Sequence, residues 1–201
     1  MNTRPPTLRR DWDMEPSPEP DRPPEITVRT ATIADAEAIT DAHVAAWQSA
    51  YRGIMPDRYL DDLAKDRASR TASHRIHIAL PDDPRSFHLV SEYDGDVVGW
   101  LSGGPSRDDG GGAAATGEVW AIYIHPDYWR SGVGSALMTV ALQRLADDGY
   151  SEAVLWVFEA NTRARGFYER FAWRPDGATE IFERGGGQAV EIRYRRPLSP
   201  S

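Results

Sequence analysis

Between Glu118 and Gly149 the chain changes rhythm once. Glu118-Val119-Trp120-Ala121-Ile122-Tyr123-Ile124 is dense in β-branched and aromatic residues and reads as a strand. Val133 to Asp148 carries its apolar residues at helical spacing, and Gly149 follows in the position helices favour for a left-handed residue. Tyr128-Trp129-Arg130-Ser131-Gly132-Val133-Gly134 joins the two. A strand led into a helix start through two glycines constrains the chain to a layered α/β arrangement. The same junction lets backbone amides approach a ligand closely. Unpaired amides at the positive end of a helix dipole make an anion site worth up to about 2 kcal/mol in sheltered geometry. A tight turn or close helix packing uses the same glycines, so the spacing alone leaves both readings open.

The remaining elements fall around that junction. Residues 1–25 crowd Pro5, Pro6, Pro16, Pro18, Pro20, Pro23 and Pro24 among charges, and are expected to be a disordered leader to one domain spanning 26–201. Ile26-Thr27-Val28-Arg29 is a short strand, and Thr32 three residues ahead of Asp35 resembles a helix cap. A helix bearing Ile39, Ala42, Ala46, Trp47 and Ala50 stops at Gly53 and Pro56, and a second carries Tyr59, Leu60 and Leu63. Asp94-Gly95 predicts a tight hairpin between Phe87–Val90 and Val97–Leu101. Gly103 to Gly117 is expected to be a loop, Ala153 to Phe158 a strand covered on both faces, and Asn161 the cap of a short helix through Phe171. Strands near Thr179–Glu183 and Ala189–Arg195 flank the Gly185-Gly186-Gly187 turn. The order βααββ, βαβα, ββ predicts a mixed sheet with helices on both faces.

Composition removes several classes of function. With no cysteine, disulfides, thiolate metal sites and a cysteine nucleophile are excluded. A net charge of −8 argues against nucleic acid and favours a cationic acceptor. No apolar run has the length of a membrane span, so a cytoplasmic protein with no membrane partner is expected. None of the five histidines has metal-ligand spacing, and no metal is expected. Ser135 stands where a P-loop needs lysine. Leu137 stands where the dinucleotide fingerprint needs a small residue, and Glu152 lies too early in its strand to hold a ribose.

Two motifs narrow the choice. Ala121-Ile122-Tyr123-Ile124-His125-Pro126 followed by Gly132-Val133-Gly134-Ser135-Ala136-Leu137 resembles the central Q/R-x-x-G-x-G/A motif of the GNAT superfamily of N-acetyltransferases. Asn161-Thr162-Arg163-Ala164-Arg165-Gly166-Phe167-Tyr168-Glu169-Arg170-Phe171-Ala172-Trp173 is similar to that family's N-x-x-A-x-x-F-Y-x-x-x-G-F, at the expected distance downstream. The resemblance covers the chain from about Ile26 onward. It implies a mixed, mostly antiparallel sheet of about seven strands flanked by about four helices, and acetyl-CoA as co-substrate. Trp129 departs from the usual Gln or Arg. Ala172 replaces the usual glycine, a mild change that points to a slightly different turn.

The resemblance also implies a site. The pyrophosphate falls on the backbone from Trp129 and Arg130 through Ser131, Gly132, Val133 and Gly134 to Ser135, and Asn161 binds the pantetheine arm. Arg163 or Arg165 faces either the nucleotide phosphates or solvent. A bulged strand around Ile122, Tyr123 and Ile124 supplies oxyanion donors. An alkyl amine with a pKa near about 10.4 needs a base, and Glu118 is the candidate; Tyr168 is the candidate acid for the departing thiolate. Trp47 and Tyr51 belong to a W-x-x-x-Y-x-G-x-x-P-x-x-Y-L pattern of some bacterial members and are expected to wall the acceptor pocket. The reading is acetyl transfer from acetyl-CoA to a primary amine of a small molecule or peptide, in a chain that can form a homodimer. The alternative is a CoA-binding sensor or scaffold that keeps the fold and has lost turnover.

Overall fold

The computed structural model describes residues 22–107 and 116–198. Most of the expected leader and the centre of the expected 103–117 loop lie outside them. The elements are β1 (Ile26–Thr30), α1 (Ala36–Ala50), α2 (Asp57–Asp62), α3 (Arg67–Ala79), β2 (Phe87–Tyr93), β3 (Asp96–Pro105), β4 (Thr116–Ile124), α4 (Val133–Asp147), β5 (Glu152–Phe158), α5 (Thr162–Arg170), β6 (Arg174–Arg184) and β7 (Gly187–Pro197). They form one seven-stranded sheet ordered β1-β2-β3-β4-β5-β7-β6. Only β4 and β5 pair in parallel.

Helices cover both faces because the strands alternate their side chains. On β2, Leu89 packs into a core with Leu137, Met138, Leu145, Tyr168 and Trp173, whereas its neighbour Val90 packs with Ile39 and Trp100 beneath α1. The local signals hold well. Asp94 (φ 50°) and Gly95 (φ 92°) both take the positive φ of a primed hairpin turn. Asp35 accepts from the Thr32 backbone N–H at 2.7 Å and is clamped by Arg29 at 2.8 Å through two guanidinium nitrogens.

The expected architecture of a seven-stranded, mostly antiparallel sheet flanked by helices is present, with five α-helices among the described residues because α3 forms where no apolar stripe announces it. Polar contacts hold it instead: the Thr71 hydroxyl donates to that of Thr40 (3.0 Å), His74 meets His43 (3.3 Å), and Arg67 and Arg75 pair with Asp41 and Glu37 of α1. The expected loop begins later and ends earlier, since Gly103–Pro105 extend β3 and Thr116 and Gly117 open β4. Gly103 is there for space. A Cβ would stand 2.7 Å from the Phe87 ring and 2.8 Å from the Glu118 carbonyl oxygen.

Candidate active site

The site exists because two neighbouring strands part company. β4 and β5 are paired only at Thr116, Gly117 and Glu118, opposite Glu152, Ala153 and Val154. Beyond Glu118 they diverge, and a cleft of about 980 Å³ opens between them. Ile122, Tyr123 and Ile124 line it but are not bulged: they pair in regular register with Leu101, Trp100 and Gly99. The bulge falls earlier, at the register shift opposite Ser102 and Gly103, where Trp120 is the extra residue. Donors are free for a different reason. His125 N–H bonds back to Val98 O at 2.8 Å, so strand alternation turns the Ile122 and Ile124 amides toward the gap that β5 has vacated.

The glycine junction faces the same gap. Gly132 caps α4 with φ 101°, a conformation in which a side chain is strained. Arg130, at φ 69°, is also left-handed, and between the two the Ser131 N–H bonds back to Tyr128 O at 3.4 Å, which tightens the connection into the helix. The first intrahelical acceptor is used only at Ala136, whose N–H bonds Gly132 O at 3.0 Å; the Val133 N–H is taken by the Ser131 hydroxyl at 3.5 Å, which leaves the Gly134 and Ser135 amides of the first turn for a ligand. Trp129, Arg130, Gly132, Gly134 and Ser135 line the cleft. Ser131 and Val133 do not line it, and their amides are held within the turn, Ser131 N–H by Tyr128 O at 3.4 Å and Val133 N–H by the Ser131 hydroxyl. The Ser131 hydroxyl donates to Tyr128 O at 2.7 Å, and the Val133 side chain is fully buried.

Trp129, the departure from the motif, is fixed rather than loose. Its indole N–H donates to Ile124 O at 2.9 Å, and the Arg163 guanidinium lies 3.1 Å from its ring centroid. Arg163 has no carboxylate partner among the described residues, and burial lowers its pKa below the ordinary arginine value. A positive charge is therefore restored beside the cradle from α5. Arg165 is committed elsewhere, donating to the Tyr194 hydroxyl and to Glu159 O, both at 3.1 Å. Asn161 caps α5, accepting from Ala164 N–H at 3.1 Å, and also lines the cleft.

At the other end stand the residues considered for chemistry. Tyr168 is buried against the cleft, and burial, then the neighbouring Tyr123 hydroxyl, push its pKa well above the ordinary tyrosine value. Trp47 and Tyr51 meet edge to face at 4.7 Å, and Tyr51 meets Phe158 at the same distance, forming an aromatic wall. Glu118 is not a solvated strand end. Its side chain is 1% exposed, and both carboxylate oxygens are taken by Arg107, from the backbone N–H (2.8 Å), Nε (3.1 Å) and Nη2.

Among the cleft residues that sequence does not mark are Arg107, Glu180 and Glu191. No motif marks them, since Arg107 stands in a glycine-rich stretch between Gly103-Gly104 and Gly110-Gly111-Gly112 and the glutamates sit in strands of mixed polarity. Burial, then repulsion and hydrogen bonding from Glu180, raise Glu191 to about 7, with Arg107 opposing. Among the described residues no three His, Asp or Glu side chains converge as a metal site, and no helix is long and apolar enough to cross a membrane.

Fold and cleft together give a split sheet whose gap is lined by a glycine-capped helix start and by acidic and aromatic side chains, the arrangement of a transferase. A sequence profile of the Acetyltransferase (GNAT) family matches residues 41–173, more than half of the chain. The N-acetyltransferase YuaI of Bacillus subtilis is 30% identical over 169 residues, covering 83% of this chain and 90% of that protein. A mycothiol acetyltransferase of Clavibacter sepedonicus is 35% identical over 116 residues, but the matched region covers only 31% of its length. In fold, the PaiA N-acetyltransferase of Thermoplasma acidophilum, solved in complex with coenzyme A, superposes with a TM-score of 0.63 at 17% identity, over 86% of this chain and 99% of that one. The chain belongs to the GNAT family of acetyltransferases.

Proposed function

We propose that the protein moves an acetyl group from acetyl-CoA to a primary amine by direct attack within the β4–β5 cleft. The observation that carries this reading is the cradle. Gly132, Gly134 and Ser135 line the gap and offer the unbonded first-turn amides of Gly134 and Ser135, with Arg130 and the Trp129-stacked Arg163 supplying positive charge for the pyrophosphate. The pantetheine arm then runs along the open edge of β4, where the Ile122 and Ile124 amides can donate to it and to the thioester oxygen. Asn161 meets the arm from the α5 side, keeping its amide nitrogen for that contact while its oxygen caps the helix.

Tyr168 serves the departing sulfur. Its raised pKa keeps the phenol protonated, so it offers an O–H donor at every physiological pH. The same burial makes it a weaker acid than a thiol, so complete transfer is coupled to the proton leaving the nitrogen as the amide forms. Glu118 is the base the family resemblance implies. With Arg107 occupying both of its oxygens it accepts a proton only after that pair opens, and in the closed arrangement it anchors the chain at Arg107 instead.

The test is thiol release from acetyl-CoA across polyamines, aminoglycosides, amino acids and peptides, which a cysteine-free chain does not contaminate. Turnover with at least one amine, reduced about a hundredfold or more in Tyr168→Phe with acetyl-CoA affinity retained, is expected. Acetyl-CoA binding without release above blank for any amine would instead establish a CoA-binding sensor of the same fold.

A further inference from the structure

A row of side chains crosses the sheet at the acceptor end of the cleft. Glu191 of β7 is the direct cross-strand partner of Phe158 on β5 and of Glu180 on β6. Directly opposed residues project from the same face, and all three line the cleft together with Phe182, two residues along β6. Phe158 and Phe182 meet edge to face at 5.3 Å, and Trp47 and Tyr51 close the wall from α1 and its end. Like charges directly opposite destabilise a sheet, yet neither glutamate has a salt-bridge partner among the described residues.

Glu191 is partly buried and Glu180 is exposed at the mouth, and two carboxylates without a cationic partner beside an aromatic wall suit an organic cation. Resting on the transfer reading above, we propose that Glu180 and Glu191 form the acceptor-ammonium site, that Glu191 takes the proton from the acceptor nitrogen, and that the acceptor is a small aliphatic amine entering as its ammonium ion.

Charge is arranged along the cleft in the matching sense. Arg130 lies in the glycine junction and Arg163 stacks on Trp129 beside it, whereas Glu180 and Glu191 are carried by β6 and β7, and Arg107 is already bound to Glu118. Position supports the proton step. Tyr51 and Tyr123 lie within electrostatic reach of Glu191, Tyr51 is also within reach of Tyr168, and Tyr123 raises Tyr168. All four groups line the same cleft. A base poised near neutrality is at once ionised and able to hold a proton, which suits Glu191 at about 7.

The protons balance. The ammonium gives one proton to Glu191, and the free amine attacks the thioester carbon as the carbon–sulfur bond breaks. The thiolate receives the Tyr168 proton, and the second nitrogen proton restores the phenol. Glu191 returns its proton to solvent, giving amide, free thiol and one proton overall.

The groups facing Glu191 are Glu180 from β6, Arg107 from the end of β3, Tyr51 beyond α1 and Tyr123 from β4. The test uses the full chain, with 1,4-diaminobutane as probe for equilibrium binding and as acceptor for turnover. Glu191→Gln should weaken diaminobutane binding at least tenfold, lower kcat/KM about a hundredfold or more, and abolish an acid limb near pH 7, with acetyl-CoA affinity unchanged. Glu180→Gln should weaken diaminobutane and move that limb to lower pH, because the like charge raising Glu191 is gone. Diaminobutane binding that is absent, or equal in the wild type and both variants, would overturn the proposal, as would a limb that persists in Glu191→Gln and vanishes in Glu118→Gln. Pair-dependent binding without thiol release would keep the ammonium site and reject the transfer reading, so the two failures are distinct.

Discussion

Replacing Gly134 by alanine separates what the glycine does for the fold from what it does for a ligand. Gly134 is the second residue of α4, and a Cβ there would lie 3.5 Å from Ile124 Cγ1 and 3.7 Å from the Phe167 ring, ordinary contact distances. The protein itself has room for the methyl. Alanine is favoured over glycine in a helix by about 0.5–1 kcal/mol, so the unliganded Gly134→Ala variant should be more stable, by roughly 1–4 °C in Tm for a domain of this size. The cradle loses what the helix gains. A methyl on the cleft side holds a phosphate away from the first-turn amides, and each hydrogen bond to a charged group lost costs about 1.5–3 kcal/mol. Acetyl-CoA binding should therefore weaken about 10- to 100-fold. Scanning calorimetry without ligand and isothermal titration with acetyl-CoA on one preparation read both quantities. A fall in Tm, or an unchanged Kd, would refute the reasoning. Gly132→Ala is the contrast: its φ of 101° makes the substitution strained, so stability and affinity should fall together.

Two further expectations concern stability. Ala172 closes α5 in a left-handed conformation, φ 60°, with Ala172 N–H bonded to Glu169 O (3.1 Å) and Trp173 N–H to Tyr168 O (3.3 Å). The turn is the one a glycine makes, and it costs an L-residue about 1–2 kcal/mol; Ala172→Gly, less its unfolded-state entropy, should raise stability by up to about 1 kcal/mol in urea unfolding. His43 and His74 are pushed down to about 3 and about 4, first by burial and then by neighbouring charges, His74 and Arg70 acting on His43 and His77 and His88 on His74. Both stay neutral in the fold while the unfolded chain takes up protons below about 6.5, so their stabilisation is complete above that pH and is lost as pH falls toward 4. The limiting slope is about 1.4 kcal/mol per pH unit for each ring. His43→Phe should flatten the pH dependence of urea unfolding in that window, and an unaltered slope would refute the assignment.

The parts of this protein legible in sequence are those decided by neighbours along the chain. Asp94-Gly95 sets its hairpin and Asn161 caps α5 through atoms a few residues away. Gly149 closes α4 with φ 87° and the same pair of bonds seen at Ala172, from Gly149 N–H to Ala146 O and from Tyr150 N–H to Leu145 O. The strand, glycine junction and helix from Glu118 to Asp147 are likewise one contiguous run, which is why these elements and the family resemblance are legible in the letters alone. Side-chain roles were not so readable. Ala172 looked like a mild replacement because its φ is invisible in sequence, and α3 was missed because polar contacts to α1 hold it.

Only tertiary structure decided the rest, because it depends on register between distant segments. The parting of β4 from β5 after Glu118 makes the cleft, Arg107 reaches Glu118 across the residues between β3 and β4, and Arg163 stacks on a tryptophan 34 positions earlier. Glu180 and Glu191 become a pair solely because β6 and β7 place them opposite each other. A charge's chemistry is set by what faces it, and what faces it is chosen by the sheet.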